Sequence, residues 1–495
     1  MRRAVMATAV LTTAVAATLT PTAALAAAPY KGANTAAVQD DFNGDGYRDL
    51  AVGAPGAANG GVEAAGAVVV LWGGKSTVSV TRRTVLTQAT TGIPGNPEEG
   101  DRFGETVAAA DLDRDGYADL LIGSPSEAVG NNNLRGSVSV VWGGPGGLKS
   151  GVEITPPAGY GADRTFCGFG TSITTGDMNG DGAPELTIGS RCDATSYTGP
   201  FKRTGKAAAN YLDRRLGDTR GVVMGDVDGD GRAERFWLRG PGGGDSRGPV
   251  YLDQGPPIDS APWENAALEL PYAHGHTGRI GDINGDGYGD LVTGIAMDNY
   301  LSSSTSGAHR GGEIQVLYGS AQGITTTQRP KIFHQDTPGV PGSAENADMF
   351  GQSLSIGDVD KDGYADVLIG SPNEGVAGRS GAGTAVLLRG SAKGLTTARA
   401  VGYTENTAGV PDTAETYDYF GTSVHLTDLN RDGRAETVVG IPGENADGCF
   451  WLARGSASGP VVTGSHTLCG KNTGITVRWQ DALFGTSLTS PYVYL

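Results

Sequence analysis

Short apolar runs, punctuated by glycine and aspartate, recur along the chain in a fixed order. A run such as "FGTSVHLTD" from Phe420 alternates apolar and polar positions with a period of two, as a strand with one buried face does. An acidic, glycine-containing stretch follows. Next comes a nearly continuous apolar run such as "LLIGSP" from Leu120, which reads as a strand buried on both faces. A third run opens on glycine, as in "GAVVVLWGG" from Gly66 and "GSVSVVWGG" from Gly136. A turn such as "GSAQGI" then leads to a fourth, more polar strand such as "KIFHQD" from Lys331. Four strands on short connections predict an antiparallel meander. Helical periodicity is essentially missing.

The acidic stretch occurs seven times, starting at Asp41, Asp111, Asp177, Asp226, Asp282, Asp358 and Asp428. The intervals of 49 to 76 residues each hold four short strands and their turns. A linear β-solenoid repeats in far fewer residues, so radial repetition is the better reading. The fold expected is all-β, a seven-bladed β-propeller of four-stranded antiparallel blades. The blades are expected at about 33–99, 100–165, 166–215, 216–270, 271–345, 346–415 and 416–483. The first unit lacks the Phe-Gly pair that precedes four of the acidic stretches by eight residues (Phe103, Phe169, Phe350 and Phe420). A spare pair, Phe484-Gly485, has no acidic stretch after it. Residues 484–489 are therefore expected to complete the first blade and close the ring.

Within each acidic stretch, positions 1, 3, 5, 7 and 9 can aim oxygens at one point while a glycine permits the sharp turn. The expected ligand sets are Asp41, Asn43, Asp45, Tyr47 and Asp49; Asp111, Asp113, Asp115, Tyr117 and Asp119; and Asp177, Asn179, Asp181, Ala183 and Glu185. They continue with Asp226, Asp228, Asp230, Arg232 and Glu234; Asp282, Asn284, Asp286, Tyr288 and Asp290; Asp358, Asp360, Asp362, Tyr364 and Asp366; and Asp428, Asn430, Asp432, Arg434 and Glu436. The seventh position offers its carbonyl. An oxygen-only set of this size suits calcium, a hard cation, and up to seven ions are expected. Glutamate at the ninth position of three loops changes their geometry.

Phe-Gly, an Asp-x-Asp/Asn-x-Asp-Gly loop and then Gly53-Ala54-Pro55 together resemble the FG-GAP repeat of integrin α-subunit heads. They are also similar to the repeats of secreted bacterial proteins of the integrin-like and VCBS types. The resemblance covers most of the chain. It departs where His274 and Asp218 stand in the Phe slot and where Gly-x-Pro is lost in the central units. It implies that the loops join the first two strands of each blade and hold calcium there.

Composition adds three points. Residues 1–28 begin with Arg2 and Arg3, continue apolar and end in small residues, as a secretory signal cleaved after Ala26 or Ala28 does. A membrane anchor was weighed against this, but the apolar segment is short and alanine-rich. Without Arg2 and Arg3 there are 35 basic and 54 acidic residues, a net charge of −19, which disfavours nucleic acid. Seven calcium ions would bring that to about −5, so most of the acidity belongs to the loops. Four cysteines in an exported chain suggest the disulfides Cys167–Cys192 and Cys449–Cys469, each joining ends that meet within one blade.

No nucleophile elbow, zinc-protease helix or phosphate loop appears in the sequence. The pair His274 and His276 invites a zinc reading, yet it falls on the degenerate Phe-Gly strand and is expected to be structural. The expected function is a secreted, monomeric, non-catalytic recognition or adhesion module for an extracellular protein or glycan. Its ligand would lie on the face opposite the calcium loops, with Trp263, Tyr272, Tyr300, Tyr417 and Tyr419 as candidate contacts. The alternatives are an extracellular hydrolase or lyase with its active site in the propeller mouth, and a structural exoprotein.

Overall fold

A computed structural model describes residues 39–129, 134–160, 166–213, 221–239, 248–253, 267–296, 309–476 and 482–489. The expected signal segment, Trp263 and Tyr300 lie outside the described residues. Seven antiparallel sheets follow one another in chain order, six with four strands and the first with three. The second blade is typical: Thr106–Ala110, Asp119–Ser124, Ser137–Trp142 and Ser150–Ile154 pair in sequence order. The first strands of neighbouring blades approach one another around the axis, which makes a seven-bladed propeller. Among the described residues the only helical elements are two single 3₁₀ turns.

The core is divided among the junctions. Seven apolar clusters each draw on two consecutive blades, so no blade buries its faces alone. The phenylalanine of each Phe-Gly pair is a wedge at such a junction. Phe103, Phe169, Phe350, Phe420 and Phe484 are fully buried. Each donates its backbone N–H to a carbonyl of the preceding blade, as Phe103 does to Ala65 at 3.1 Å and Phe420 to Ala382 at 3.0 Å.

The paired glycines of the repeat explain one another. Gly421 has φ +96° and donates its N–H to Gly440 of its own blade. Its carbonyl oxygen lies 2.0 Å from where a side chain on Gly370, in the preceding blade, would begin. The same approach joins Gly53 to Gly104, Gly123 to Gly170, Gly294 to Gly351 and Gly440 to Gly485, at 2.0 to 2.5 Å. A Cβ cannot enter at those distances, so two glycines at each of these junctions let two backbones touch.

Residues 484–489 close the ring as expected. Gly53 donates its N–H to Ser487 O at 2.8 Å, Gly485 to Gly53 O at 3.0 Å, and Leu488 bridges Val52 in antiparallel sense. The Thr489 hydroxyl accepts from Ala51 N–H at 3.0 Å. Phe484 packs on Phe450 with ring centroids 5.7 Å apart. This segment takes the fourth place in the first sheet. Both disulfides form as expected, Cys167–Cys192 and Cys449–Cys469, and no cysteine is free.

Two outcomes are expected. Gly370→Ala should cost roughly 3 kcal/mol or more, whereas Gly375→Ala should be near neutral, because only a distant carbonyl at 3.9 Å faces that site. Urea unfolding of both variants checks this. Deleting 484–495 should expose the edge of the first blade, lower the melting temperature and promote oligomers, measured by calorimetry and light scattering.

Candidate functional site

Each acidic stretch folds on its own first aspartate. Asp111 is buried, its Oδ1 accepting from Asp115 N–H at 3.1 Å and its Oδ2 from Gly116 N–H at 3.0 Å. Asp115 Oδ1 accepts from Tyr117 N–H at 3.1 Å. Equivalent bonds order the loops from Asp41, Asp177, Asp226, Asp282, Asp358 and Asp428. Asp111, Asp113 and Asp115 bring carboxylate oxygens within 4.8 Å of one another, as do Asp226, Asp228 and Asp230. The loops are also chained around the ring. Ala118 N–H reaches Asp41 O at 3.0 Å, Ala233 reaches Asp177, Gly289 reaches Asp226, Ala365 reaches Asp282 and Ala435 reaches Asp358.

The ninth position separates two classes of loop. Asp119 accepts from Leu112 N–H within its loop and from Gly143 N–H at the end of the third strand, both at 2.9 Å. Asp49, Asp290 and Asp366 do the same with Gly73, Gly319 and Gly390. Glu185, Glu234 and Glu436 reach only the N–H within the loop, at 2.7 to 2.9 Å. In two of these the spare oxygen is taken by the loop asparagine, Asn179 or Asn430. The longer side chain thus folds back into the loop, and in the Glu185 and Glu436 loops the end of the third strand has no such tether among the described residues.

Basic side chains enter some loops, which the repeat pattern did not reveal. Arg203, from the third blade, pairs with Asp113 at 2.6 Å and with Asp115. Arg399 pairs with Asp360 at 3.2 Å, and the buried Arg389 with Asp366 at 2.9 Å. Arg82 lies 3.9 Å from Asp45 of the first loop, and burial raises carboxyls in loops with and without a basic partner. Asp49, Asp119, Glu234 and Glu436 are pushed up to about 8, burial being the largest cause and neighbouring carboxylates adding to it. Asp366 rises only to about 6, because Arg389 opposes its burial.

A cavity of about 450 Å³ opens at the acidic-loop end of the central channel, lined in part by Asp358 and Asp428. Its wall is built from equivalent places on the innermost strands. Three residues before the loops stand Ala108, Thr174, Val223, Arg279, Ser355 and His425, and Thr489 takes that place in the closing segment. Two further residues break the repeat there. Asp40 stands where the other units have Ala110, Gly176, Gly225, Gly281, Gly357 and Thr427. Arg48 stands where they have Ala118, Pro184, Ala233, Gly289, Ala365 and Ala435. Asp40 is fully buried, and its Oδ2 lies 3.9 Å from His425 Nε2. Neither oxygen of Asp40 and neither ring nitrogen of His425 has a hydrogen-bond partner. Burial, aided by the fields of Arg48 and Arg279, pushes the His425 imidazole down to about 3, so it is neutral. Arg48, Arg279 and His425 line one cavity, with Asp40 buried behind His425, and such a set can hold an anion and move a proton.

The other candidates are less concentrated. His276 is buried with its N–H on Gly294 O, and His274 N–H is held by Gln315. Tyr417 is exposed and stacks on Tyr419, while Arg329 covers the ring of Tyr272 at 4.0 Å. No helix among the described residues is long and apolar enough to cross a membrane.

The FG-GAP repeat family matches at residues 33–71, 103–141 and 350–388. The chain carries FG-GAP repeats. It is 25% identical over 457 residues to the phosphatidylinositol-glycan-specific phospholipase D of Rattus norvegicus, covering 91% of this chain and 48% of that protein. The Bos taurus enzyme of the same name is 25% identical over 481 residues, 91% of this chain and 48% of its own. Xenopus laevis integrin alpha-5 is matched over a shorter span, 35% identical over 155 residues, 30% of this chain and 14% of that protein. The chain thus spans about half the length of the phospholipase relatives.

These relatives overturn two expectations, that the chain is a non-catalytic recognition or adhesion module and that it is not an enzyme. Missing contiguous motifs do not exclude an enzyme, because a site assembled across blades leaves no contiguous signature; the meeting of Asp40 with His425 is an arrangement of that kind.

The raised carboxyls set a pH dependence for metal-free protein. A carboxyl at about 8 when folded and near 4 when unfolded binds more protons in the folded state throughout that interval. Its protonation supports the fold at low pH, and that support is lost as pH rises from about 4 to 8. In chelator the melting temperature should therefore fall by ~5 °C or more between pH 5.5 and 8. Saturating calcium should abolish the fall. A flat profile in chelator would exclude the loops as the source.

Proposed function

We propose that the chain is an extracellular, calcium-stabilised hydrolase acting on the phosphodiester of a glycan-linked lipid, with the reacting group bound in the channel cavity. The observation that carries this reading is the identity to phosphatidylinositol-glycan-specific phospholipases D along 91% of the chain. The chemistry of the cavity supports it. Arg48 and Arg279 offer two cationic groups to a phosphodiester monoanion, in a cavity that Asp358 and Asp428 also line. Water adds to phosphorus and the oxygen on the glycan side leaves with a proton, giving phosphatidate and the free glycan. His425 is the group that takes the proton of the attacking water, with Asp40 3.9 Å from its Nε2. In the empty cavity burial and the two arginines make this imidazole a weak base. A bound phosphate cancels the arginine fields and raises its basicity.

The seven acidic loops are read as calcium sites through the residues named above, and the first 28 residues as a secretory signal. Arg203 and Arg399 supply part of the counter-charge at their loops and lower the number of ions needed there.

Hydrolysis is tested with a phosphatidylinositol-glycan in detergent and calcium, by release of water-soluble glycan. The intact protein should release it, and Arg279→Ala should lower kcat/KM by roughly 10²-fold with the melting temperature unchanged. No release by the intact protein overturns the reading. Release undiminished in Arg279→Ala places the site elsewhere.

A further inference from the structure

A second acidic set recurs on the opposite face of the ring, where the second strands end. Gln88, Glu98, Asp101 and Glu127 meet at the junction of the first and second blades. Gln335, Glu345, Asp348 and Glu374 meet between the fifth and sixth, and Glu405, Glu415, Asp418 and Glu444 between the sixth and seventh. The spacing is identical in all three. In each set the aspartate lies two residues before the wedging phenylalanine, and the last glutamate two residues after the proline that ends the second strand.

The side chains converge. Glu98, Asp101 and Glu127 bring oxygens within 4.8 Å of one another, as do Glu345, Asp348 and Glu374. In the third set Glu405 faces Glu444 and Asp418. Asp101, Glu127, Asp348, Glu405, Asp418 and Glu444 are all buried. Part of each set is already fixed: Glu98 N–H on Asp101 and Glu345 N–H on Asp348, both at 2.6 Å, and Gln88 Nε2 on Glu127 at 2.6 Å. Gln88 Oε1 and Gln335 Oε1, in side chains more than nine-tenths buried, have no hydrogen-bond partner among the described residues. Burial and mutual repulsion push Glu127, Glu374 and Glu444 up to about 7 and Glu405 to about 10. Among the described residues no lysine or arginine forms an ion pair with Glu127, Glu374, Glu405 or Glu444.

The second-to-third junction shows what the position does. Arg191 N–H donates to Cys167 O at 2.9 Å, just as Asn373 donates to Asp348 O at 3.2 Å and Gly443 to Asp418 O at 3.0 Å. Cys167 therefore stands in the place of the aspartate and Cys192 in that of the last glutamate, and there the two are joined covalently. At the seventh-to-first junction Gly56 N–H reaches Ala482 O in the same way, and the places are taken by Ala57 and Ala482, both buried. Of these five junctions one is stapled by a disulfide and one is apolar, and three hold carboxylates whose oxygens face one another.

We propose that these three junctions are calcium sites, in which a cation ties the entry of a blade to the end of its second strand, as the disulfide does in the third blade, and reaches the preceding blade through Gln88, Gln335 or Glu405. Each offers three carboxylates and a fourth side-chain oxygen from Gln88, Gln335 or Glu405, an all-oxygen donor set of the kind calcium takes. These ions are additional to those of the acidic loops and lie on the other face.

The test is calcium stoichiometry of the whole protein by equilibrium dialysis, with Asp362→Asn as a loop control. Glu374→Gln should bind one ion fewer than the parent, independently of Asp362→Asn. Its melting temperature should cross that of the parent: higher in chelator, where a repelling charge is gone, and lower in saturating calcium. If Glu374→Gln keeps the full count and the melting curves do not cross, the carboxylates share protons and the proposal fails. Should that variant not fold, Glu127→Gln reads the same two quantities at another junction.

Discussion

Backbone contact between two glycines of consecutive blades is the constraint on which the ring depends. With oxygen to virtual Cβ at 2.0 to 2.5 Å, neither residue can carry a side chain, and the sheets dock at one separation. That separation fixes the depth at which each phenylalanine wedge enters, and so the apolar cluster at the junction. It also places the acidic loop of one blade against that of the next, so that backbone bonds run from loop to loop. The repeat is therefore a rule about junctions more than about blades.

Charge is distributed on this frame in two layers. One face carries the loops, whose buried carboxylates need a cation, a proton or an intruding arginine, and examples of the last are present in Arg203 and Arg399. The opposite face carries the junction carboxylates. Between them the channel holds Arg48, Arg279 and His425, cationic or neutral groups in a protein whose formal charge is −17. An anion reaching the cavity passes an acidic rim, and bound calcium would reduce that barrier. Ions bound in the loops would couple to the cavity electrostatically even without direct contact.

Much of the architecture was legible in the sequence because each unit writes it locally and repeats it. The alternation before Asp428, the apolar run after Asp119 and the spare Phe484-Gly485 suffice for blade number and closure, and the cysteines followed from strand order. What could not be read came from across the ring. Arg203 lies far along the chain from Asp113, and Asp40 meets His425 only after closure. Their signal was present as departures from the repeat, polar residues where the other units have alanine or glycine. The junction carboxylates were equally visible as a constant spacing from Gln88 to Glu127. No turn motif marks that spacing, and nothing in one dimension says that its members converge.

The seam between Ala51 and Thr489 joins residues 438 positions apart. A chain made from its N-terminus delivers its first blade long before that partner arrives. Until then the first sheet has an open edge, and the seventh has no phenylalanine to receive. Loop-closure entropy makes so distant a pairing slow. The ring thus forms late and as a whole, and nascent chains spend the interval as an open arc that depends on chaperones, low local concentration or bound cations to keep its ends from meeting a neighbour's.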